Sequence, residues 1–466
     1  MAKSSPFSFA FLSEILSSPR IKPLALRLHP ATVFGATKGV FDDVAHELWM
    51  AANEQRRPNV NELIEKIVAR LSSLVELTEP LVVDARGRIF PNDLERLADC
   101  AVQEAAWVLS EPQTEYSKRQ DASREKDLRT RLARLGGAES ALVFQNCEAA
   151  RVAALQELVA RRRKLVVARR DLYEAEDGRR LENAFDVFPT LERREIGACN
   201  AVSLEDYDVA CDEQTGLVWR SFGRWSPDGP RPSSSEIATL KGAEGRNFEI
   251  LGEFEFIPLL DLTEFFDAKT PTVADRLKTG FDLVLCDGAQ LIGGPRCGVL
   301  FGSRARLNAI AKTPTAKIAG LDRIATAAFV KTLTLYESRA VAVESIPVLR
   351  LLATSRANLE NRATRLAALL ETTPCVQYAR SIEGRSTLCV GASFGTSPTR
   401  LVELRPRGFA PAELAARLEA ENPRLLARWN KDALLLDMKT IAPEQDVLVA
   451  ELFERLTPPG ETKNAL

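Results

Sequence analysis

The sequence predicts an α/β protein with a mostly parallel sheet, preceded by a helical domain and followed by a small α+β domain. Three observations predict it. The first ~75 residues carry helical apolar spacing. Between about Leu81 and Ser303, short apolar runs alternate with helical patterns, as buried parallel strands and their crossovers do. After Ala340 a long helical pattern gives way to short strand-like runs. The expected organisation is a helical domain over 1–78, a large domain over 79–340 and a small domain over 341–466.

In chain order, Phe41–Ala52 and Val60–Leu74 read as helices, with Leu63, Ile67 and Leu71 on one face and Pro58-Asn59 between them. Strands are expected at Ala141–Phe144, Leu165–Ala168, Gly216–Arg220, Ile257–Asp261, Asp282–Cys286 and Gly298–Phe301. A helix is expected over Glu148–Arg161. Ser221–Arg246 is rich in Pro, Gly and Ser and reads as a loop. Ile346–Leu370 reads as one long helix. Strands at Ser386–Val390, Thr399–Leu404 and Ala433–Leu436 and a helix at Pro411–Glu421 complete the small domain. The tail after Pro458 reads as disordered.

Composition narrows the function. The chain has 466 residues with 62 basic and 64 acidic side chains, a formal charge of −2. That balance argues against a protein held to nucleic acid by a broad basic surface. The mixed charges of Glu115–Arg134 read as a solvated helix, and Arg161–Lys164 as cations closing a helix; either could also touch RNA. No run approaches the ~20 apolar residues that span a bilayer, and Met1–Leu16 lacks the features of a signal peptide. The eight cysteines (Cys100, Cys147, Cys199, Cys211, Cys286, Cys297, Cys375 and Cys389) never form C-x-x-C. Free thiols in a cytoplasmic protein fit that pattern. The only histidines, His29 and His46, exclude a His-based triad or a His-ligated zinc site from the main body, and no metal site is expected.

Four segments carry a family resemblance: Asp287-Gly288-Ala289-Gln290-Leu291-Ile292-Gly293-Gly294-Pro295-Arg296-Cys297-Gly298; Leu259-Leu260-Asp261-Leu262; Glu195–Asn200 with Glu205-Asp206-Tyr207; and Leu434–Glu444. Val82–Gly87 and Ala141–Ala150 add to them. Together they resemble the bacterial L-seryl-tRNA(Sec) selenium transferases, from about Phe9 to Phe453. The resemblance implies a fold-type-I aminotransferase architecture, pyridoxal phosphate, a tRNA substrate and a homodimer or higher homo-oligomer. Pyridoxal chemistry needs a carboxylate near the pyridine nitrogen. Asp261 falls at the family's position, or else caps the next turn. Asn146 matches the family's phosphate-binding turn, or else is an ordinary helix cap.

The polar positions depart from the family together. Where the family has Ser-Gly-Asp-Lys, this chain reads Asp287-Gly288-Ala289-Gln290. The family's Lys forms the Schiff base, and the Gln290 amide cannot. Asp287 sits where the family's Ser lies near the cofactor phosphate. Thr263-Glu264-Phe265 replaces Gly-Ser-Gly, and Asp84-Ala85-Arg86-Gly87 replaces Asn-Ala-Thr-Gly. Lys317 falls at one of the family's basic positions, but Gly320 replaces another Arg. The expectation is a catalytically degenerate homologue with doubtful cofactor binding. The alternatives are an active transferase using Lys312 or Lys317, and a tRNA- or ligand-binding module. Cys286 and Cys297 bracket the altered loop, either as a reactive thiol or as inert core.

Overall fold

The computed structural model describes residues 82–87, 97–110, 114–173, 180–198, 200–223, 229–387 and 395–456, together with Glu65. The helical domain expected over 1–78, both histidines, Cys199, Cys389 and the C-terminal tail lie outside the described residues, Glu65 excepted. The chain divides into two compact units. One comprises residues 88–354 and 385–398, the other residues 1–87, 355–384 and 399–466.

Strand β1 (Val82–Asp84) belongs to the second unit. The strands of the first unit follow: β2 (Ser140–Phe144), β3 (Lys164–Ala168), β4 (Glu192–Ile196), β5 (Thr215–Phe222), β6 (Glu249–Phe254), β7 (Leu283–Asp287) and β8 (Gly298–Gly302). They form one seven-stranded sheet in the order β2-β8-β7-β6-β5-β3-β4. Every pairing is parallel except those of β8, which runs against β2 and β7. Parallel strands covered on both faces lose their alternation and read as continuous apolar runs. Accordingly β3 and β8 are buried at every residue, and β5 at all but its last.

Alternate residues feed two cores. Leu165, Val167, Leu217, Trp219, Leu251 and Leu285 pack with the helix Cys147–Arg161. Val166, Val218, Ile250, Phe254 and Cys286 pack on the other face, with Tyr207, Phe281 and Phe329. Helix starts are fixed by paired side-chain and backbone bonds: Ser203 with Asp206, Ser233 with Glu236 and Thr272 with Asp275.

Three expectations are corrected. The expected strand Ile257–Asp261 is a buried connection. Pro258 has no N–H to donate to a ladder, and the strand beside β7 is β6, seven residues earlier. The expected helix Ile346–Leu370 is two helices, Pro347–Ala353 and Arg356–Glu371, because Ser355 caps the second by accepting from the Asn358 N–H. The loop expected over Ser221–Arg246 contains a short helix, Ser234–Ala238.

In the second unit, β12 (Arg428–Trp429), β13 (Leu434–Asp437), β10 (Ser397–Pro406) and β9 (Val376–Ser386) form a four-stranded sheet in that order. Strand β1 pairs in parallel with β11 (Arg424–Leu426). The helices Arg356–Glu371, Pro411–Ala420 and Asp446–Arg455 supply the core, with Leu366, Leu414 and Phe453 buried. The Leu434–Glu444 segment makes turn and packing contacts in this unit. Buried Asp437 accepts from the Thr399 hydroxyl at 2.7 Å and the Lys439 N–H at 3.0 Å. Gly87 adopts φ +72°, and a Cβ there would lie 2.1 Å from an Asp437 oxygen.

Candidate active site

Two of the family-like segments of the first unit, Ala141–Ala150 and Asp287–Gly298, meet at the carboxyl end of β7, at the end of the sheet where open α/β folds bind ligands. The helix Cys147–Arg161 begins directly after β2. Asn146 caps it, its side chain accepting from the Ala149 N–H at 2.8 Å. Gly298, at the start of β8, lets the chain pass close to that cap: a Cβ there would meet the Asn146 carbonyl at 2.5 Å. After β7 the chain folds into a tight loop, with Gly288 N–H donating to the Cys297 carbonyl and Gly294 N–H to the Gly288 carbonyl, both at 2.9 Å. Gly293 adopts φ +73°, which glycine takes at little cost.

Asp287 and Gln290 are held by this loop. Gln290 is only 6% exposed. Asp287 accepts from the Ala289 N–H at 2.8 Å. Burial raises its carboxyl above the usual range, and Glu148 in the neighbouring helix adds to the rise. Burial, reinforced by Asp287, also raises the thiols of Cys147, Cys286 and Cys297. They are therefore neutral at physiological pH, which makes them poor nucleophiles.

A buried network beside them has no counterpart in the sequence reading. Glu253, near the end of β6, accepts through one oxygen from Arg151 Nε at 3.0 Å and from the Tyr173 hydroxyl at 3.0 Å, and it is also bonded by Arg151 Nη2. Arg151 reaches it from the helix Cys147–Arg161 and is 7% exposed. Burial alone would lower the guanidinium pKa, but the Glu253 charge outweighs it and the pKa rises. Burial and Glu253 raise the Tyr173 phenol. The other Glu253 oxygen is buried without a hydrogen bond. The readable signal was an acid inside a buried strand, which demands a partner.

Asn146, Asp287 and Gln290 thus share this end of the sheet. Asp261 stands apart. It does not end a strand but lies exposed in the connection after β6, seven residues beyond Phe254. Its carboxylate accepts from the Thr263 N–H at 2.9 Å and the Thr263 hydroxyl at 2.5 Å. Those bonds lower its pKa and make it a turn cap. Glu264 is likewise exposed and pairs with Arg339 at 2.5 Å. Lys312 and Lys317 are both exposed, the latter on the helix Pro314–Ile318 that flanks Cys147–Arg161. Neither makes a hydrogen bond or ion pair through its ammonium with a described residue.

Comparison with known proteins agrees with this geometry. Among solved structures, the chain resembles D-glucosaminate-6-phosphate ammonia-lyase, with a TM-score of 0.59 at 15% identity, over 81% of this chain and 96% of that one. The likeness is one of fold, and the architecture is fold type I. The L-seryl-tRNA(Sec) selenium transferase of Geobacter metallireducens is 26% identical over 443 residues, covering 92% of this chain and 95% of that protein. That of Solidesulfovibrio magneticus is 32% identical over 393 residues, covering 81% and 82%. A sequence model of the L-seryl-tRNA selenium transferases matches residues 86–442. With a match across most of its length, the chain belongs to the L-seryl-tRNA selenium transferase family.

Proposed function

We propose that this chain is a selenium-transferase homologue that has given up Schiff-base chemistry and serves a non-catalytic or repurposed role in the cytoplasm. The observation that carries this reading is Gln290, buried in the loop after β7 where the family resemblance puts a lysine. An amide cannot form an imine or shuttle a proton as an amine does. The surroundings support it. Pyridoxal phosphate, which the family implies, brings a dianion, and the helix start nearest the loop carries Glu148 in its first turn, with the carboxylate of Asp287 close to it. At an effective dielectric of about 20, each such repulsion amounts to roughly a few kcal/mol. The bonded oxygen of Glu253, one residue before the end of β6, already holds Arg151 and Tyr173. These residues do not fit the cofactor, and no catalytic step through it follows from them. A homo-oligomeric assembly and retained tRNA binding belong to the proposal as family expectations.

The test is the absorbance of the purified protein with added pyridoxal phosphate, before and after borohydride, followed by mass analysis of peptides. The proposal expects the spectrum of the free aldehyde and no specific adduct. A trapped adduct on Lys312 or Lys317 would overturn it in favour of a working enzyme with a relocated lysine. Gel shift with tRNA at moderate salt separates a binding role from a purely structural one. Light scattering tests the oligomer against the 51.4 kDa chain mass.

A further inference from the structure

On the sheet face opposite Arg151 and Glu253, three guanidiniums gather about one aromatic ring. The carbons of Arg231, Arg220 and Arg276 lie 4.0, 5.2 and 5.6 Å from the centre of the Phe222 ring. Phe222 and Phe254 stack at 4.6 Å, and Arg276 also lies over Phe254 at 4.8 Å. Arg220 and Phe222 are on β5, and Phe222 is in register with Phe254 of β6. Arg276 comes from the helix Val273–Lys278.

We propose that Arg220, Arg231 and Arg276, with the Tyr207 hydroxyl, form a binding site for a dianionic phosphate group, free or as a small phosphate ester. Unmatched donors carry the inference. The Arg276 guanidinium makes no hydrogen bond or ion pair with any described residue, and its Nε is buried. The Nε of Arg220, a residue only 2% exposed, is buried without an acceptor, as is the hydroxyl of fully buried Tyr207. A desolvated donor without a partner costs about 1–3 kcal/mol, so several together mark a place where an acceptor belongs.

Charge points the same way. Arg170 stands beside the cluster, bonded to the carbonyls of Asn200 and Gly229. Against these four cations, the described residues set Asp171, which meets Arg231 only at 3.5 Å, and, without an ion pair to the cluster, Glu236 beside Arg220 and Asp275 beside Arg276. Asp275, the carboxylate nearest Arg276, is held by the Thr272 hydroxyl at 3.0 Å. Arg220 already donates to the Ser234 hydroxyl and the Pro232 carbonyl, both at 2.8 Å, which fixes its plane. Asp171 repels an anion, but it is outnumbered. Guanidinium forks match phosphate oxygens, and an excess of positive charge favours a dianion over a single carboxylate. Arg231 and Arg276 are partly exposed, so the cluster is open to solvent. The site owes nothing to Gln290, and its test is independent of the cofactor.

Titration calorimetry with inorganic phosphate and with glycerol 3-phosphate, at ionic strength held constant with chloride, is the experiment. Saturable binding of one equivalent is expected. Arg276→Met weakens it about tenfold or more, Arg276→Lys less, and the exposed Arg304→Met not at all. Tighter binding of glycerol 3-phosphate assigns the site to an ester, and equal or tighter binding of inorganic phosphate to the free ion. If Arg276→Met lowers stability by itself, the phosphate-induced rise in Tm becomes the readout, with Arg231→Met as a second variant; the rise must shrink in both. No saturable binding at millimolar concentration, an adventitious ion only, overturns the proposal. So does an Arg276→Met variant that binds like wild type, or retention of RNA without either phosphate probe.

Discussion

On the sheet face covered by the helix Cys147–Arg161, one guanidinium meets two carboxylates and one phenol; on the opposite face, three guanidiniums act on one carboxylate, with a fourth, Arg276, beside them. Both groups sit at the carboxyl ends of neighbouring strands and both are largely buried. The first is matched in charge: Glu253 and Glu148 hold Arg151, and Tyr173 donates to Glu253, whose second oxygen alone is left without a hydrogen bond. The second is matched only in part, by carbonyl oxygens and aromatic faces. A buried charge is tolerated when its partners arrive with it. The contrast teaches where the fold is self-sufficient and where it has room for a partner from outside.

The largest expected effect breaks the matched side. Arg151→Met leaves the Glu253 carboxylate buried and unpaired, and should cost about 3–5 kcal/mol in urea unfolding. The double variant Arg151→Met/Glu253→Leu should recover most of that loss, because no charge is then stranded. A single variant that loses under ~1 kcal/mol would show that the network is solvated and the contrast false.

The next effect sharpens the unmatched side. Burial pushes the Asp171 carboxyl up to about 6, against the pull of Arg220, Arg231 and Arg170. In the unfolded chain it titrates near 3.9. Between those values the folded protein keeps a proton that the unfolded chain has released, so this group's contribution to stability falls as pH rises through the window. It is fully present below about 4 and lost above about 6. The change amounts to about 2–3 kcal/mol. Asp171→Asn should flatten that part of the stability profile from pH 4 to 7, and an unchanged slope would mean that Asp171 stays ionised throughout.

The smallest effect concerns the helix that carries Arg151. Asn146→Ala removes the bond to the Ala149 N–H and should cost about 1 kcal/mol. Its melting temperature should fall slightly whether or not phosphate is present, since the two faces are separate.

Much of this molecule is readable along the chain. Strands β2, β3, β5, β7 and β8 announce themselves as apolar runs because they are buried on both faces. Strand β4 does not: its Glu-Arg-Arg-Glu-Ile sequence is that of an exposed edge. Strand β6 is obscured because Gly252 and Glu253 interrupt it, while the more apolar Ile257–Leu260 run beside it is only a buried connection. At the site, Asn146, Asp287 and Gln290 are legible because each lies in a local motif. Arg151, Tyr173 and Glu253 are not, since their bonds span 102 and 80 residues and only the fold joins them. The expected place of Asp261 at a strand end fails for the converse reason. It follows an apolar run, yet burial of a run does not make it a strand.

The pairing of β1 with β11 has a consequence for synthesis. Val82 is in register with Arg424, so 424 − 82 = 342 residues must emerge from the ribosome before the pairing can form. At ~5–20 residues per second, that is a wait of about 20–70 s. Through it, Val82 and Val83 have no ladder, while β2 to β8 are all made and free to pair. The sheet of the first unit is thus complete in the nascent chain long before the second unit can close. An unpaired apolar strand held for that time is a site for a wrong partner. This protein's most vulnerable moment comes late in translation and is set by β1.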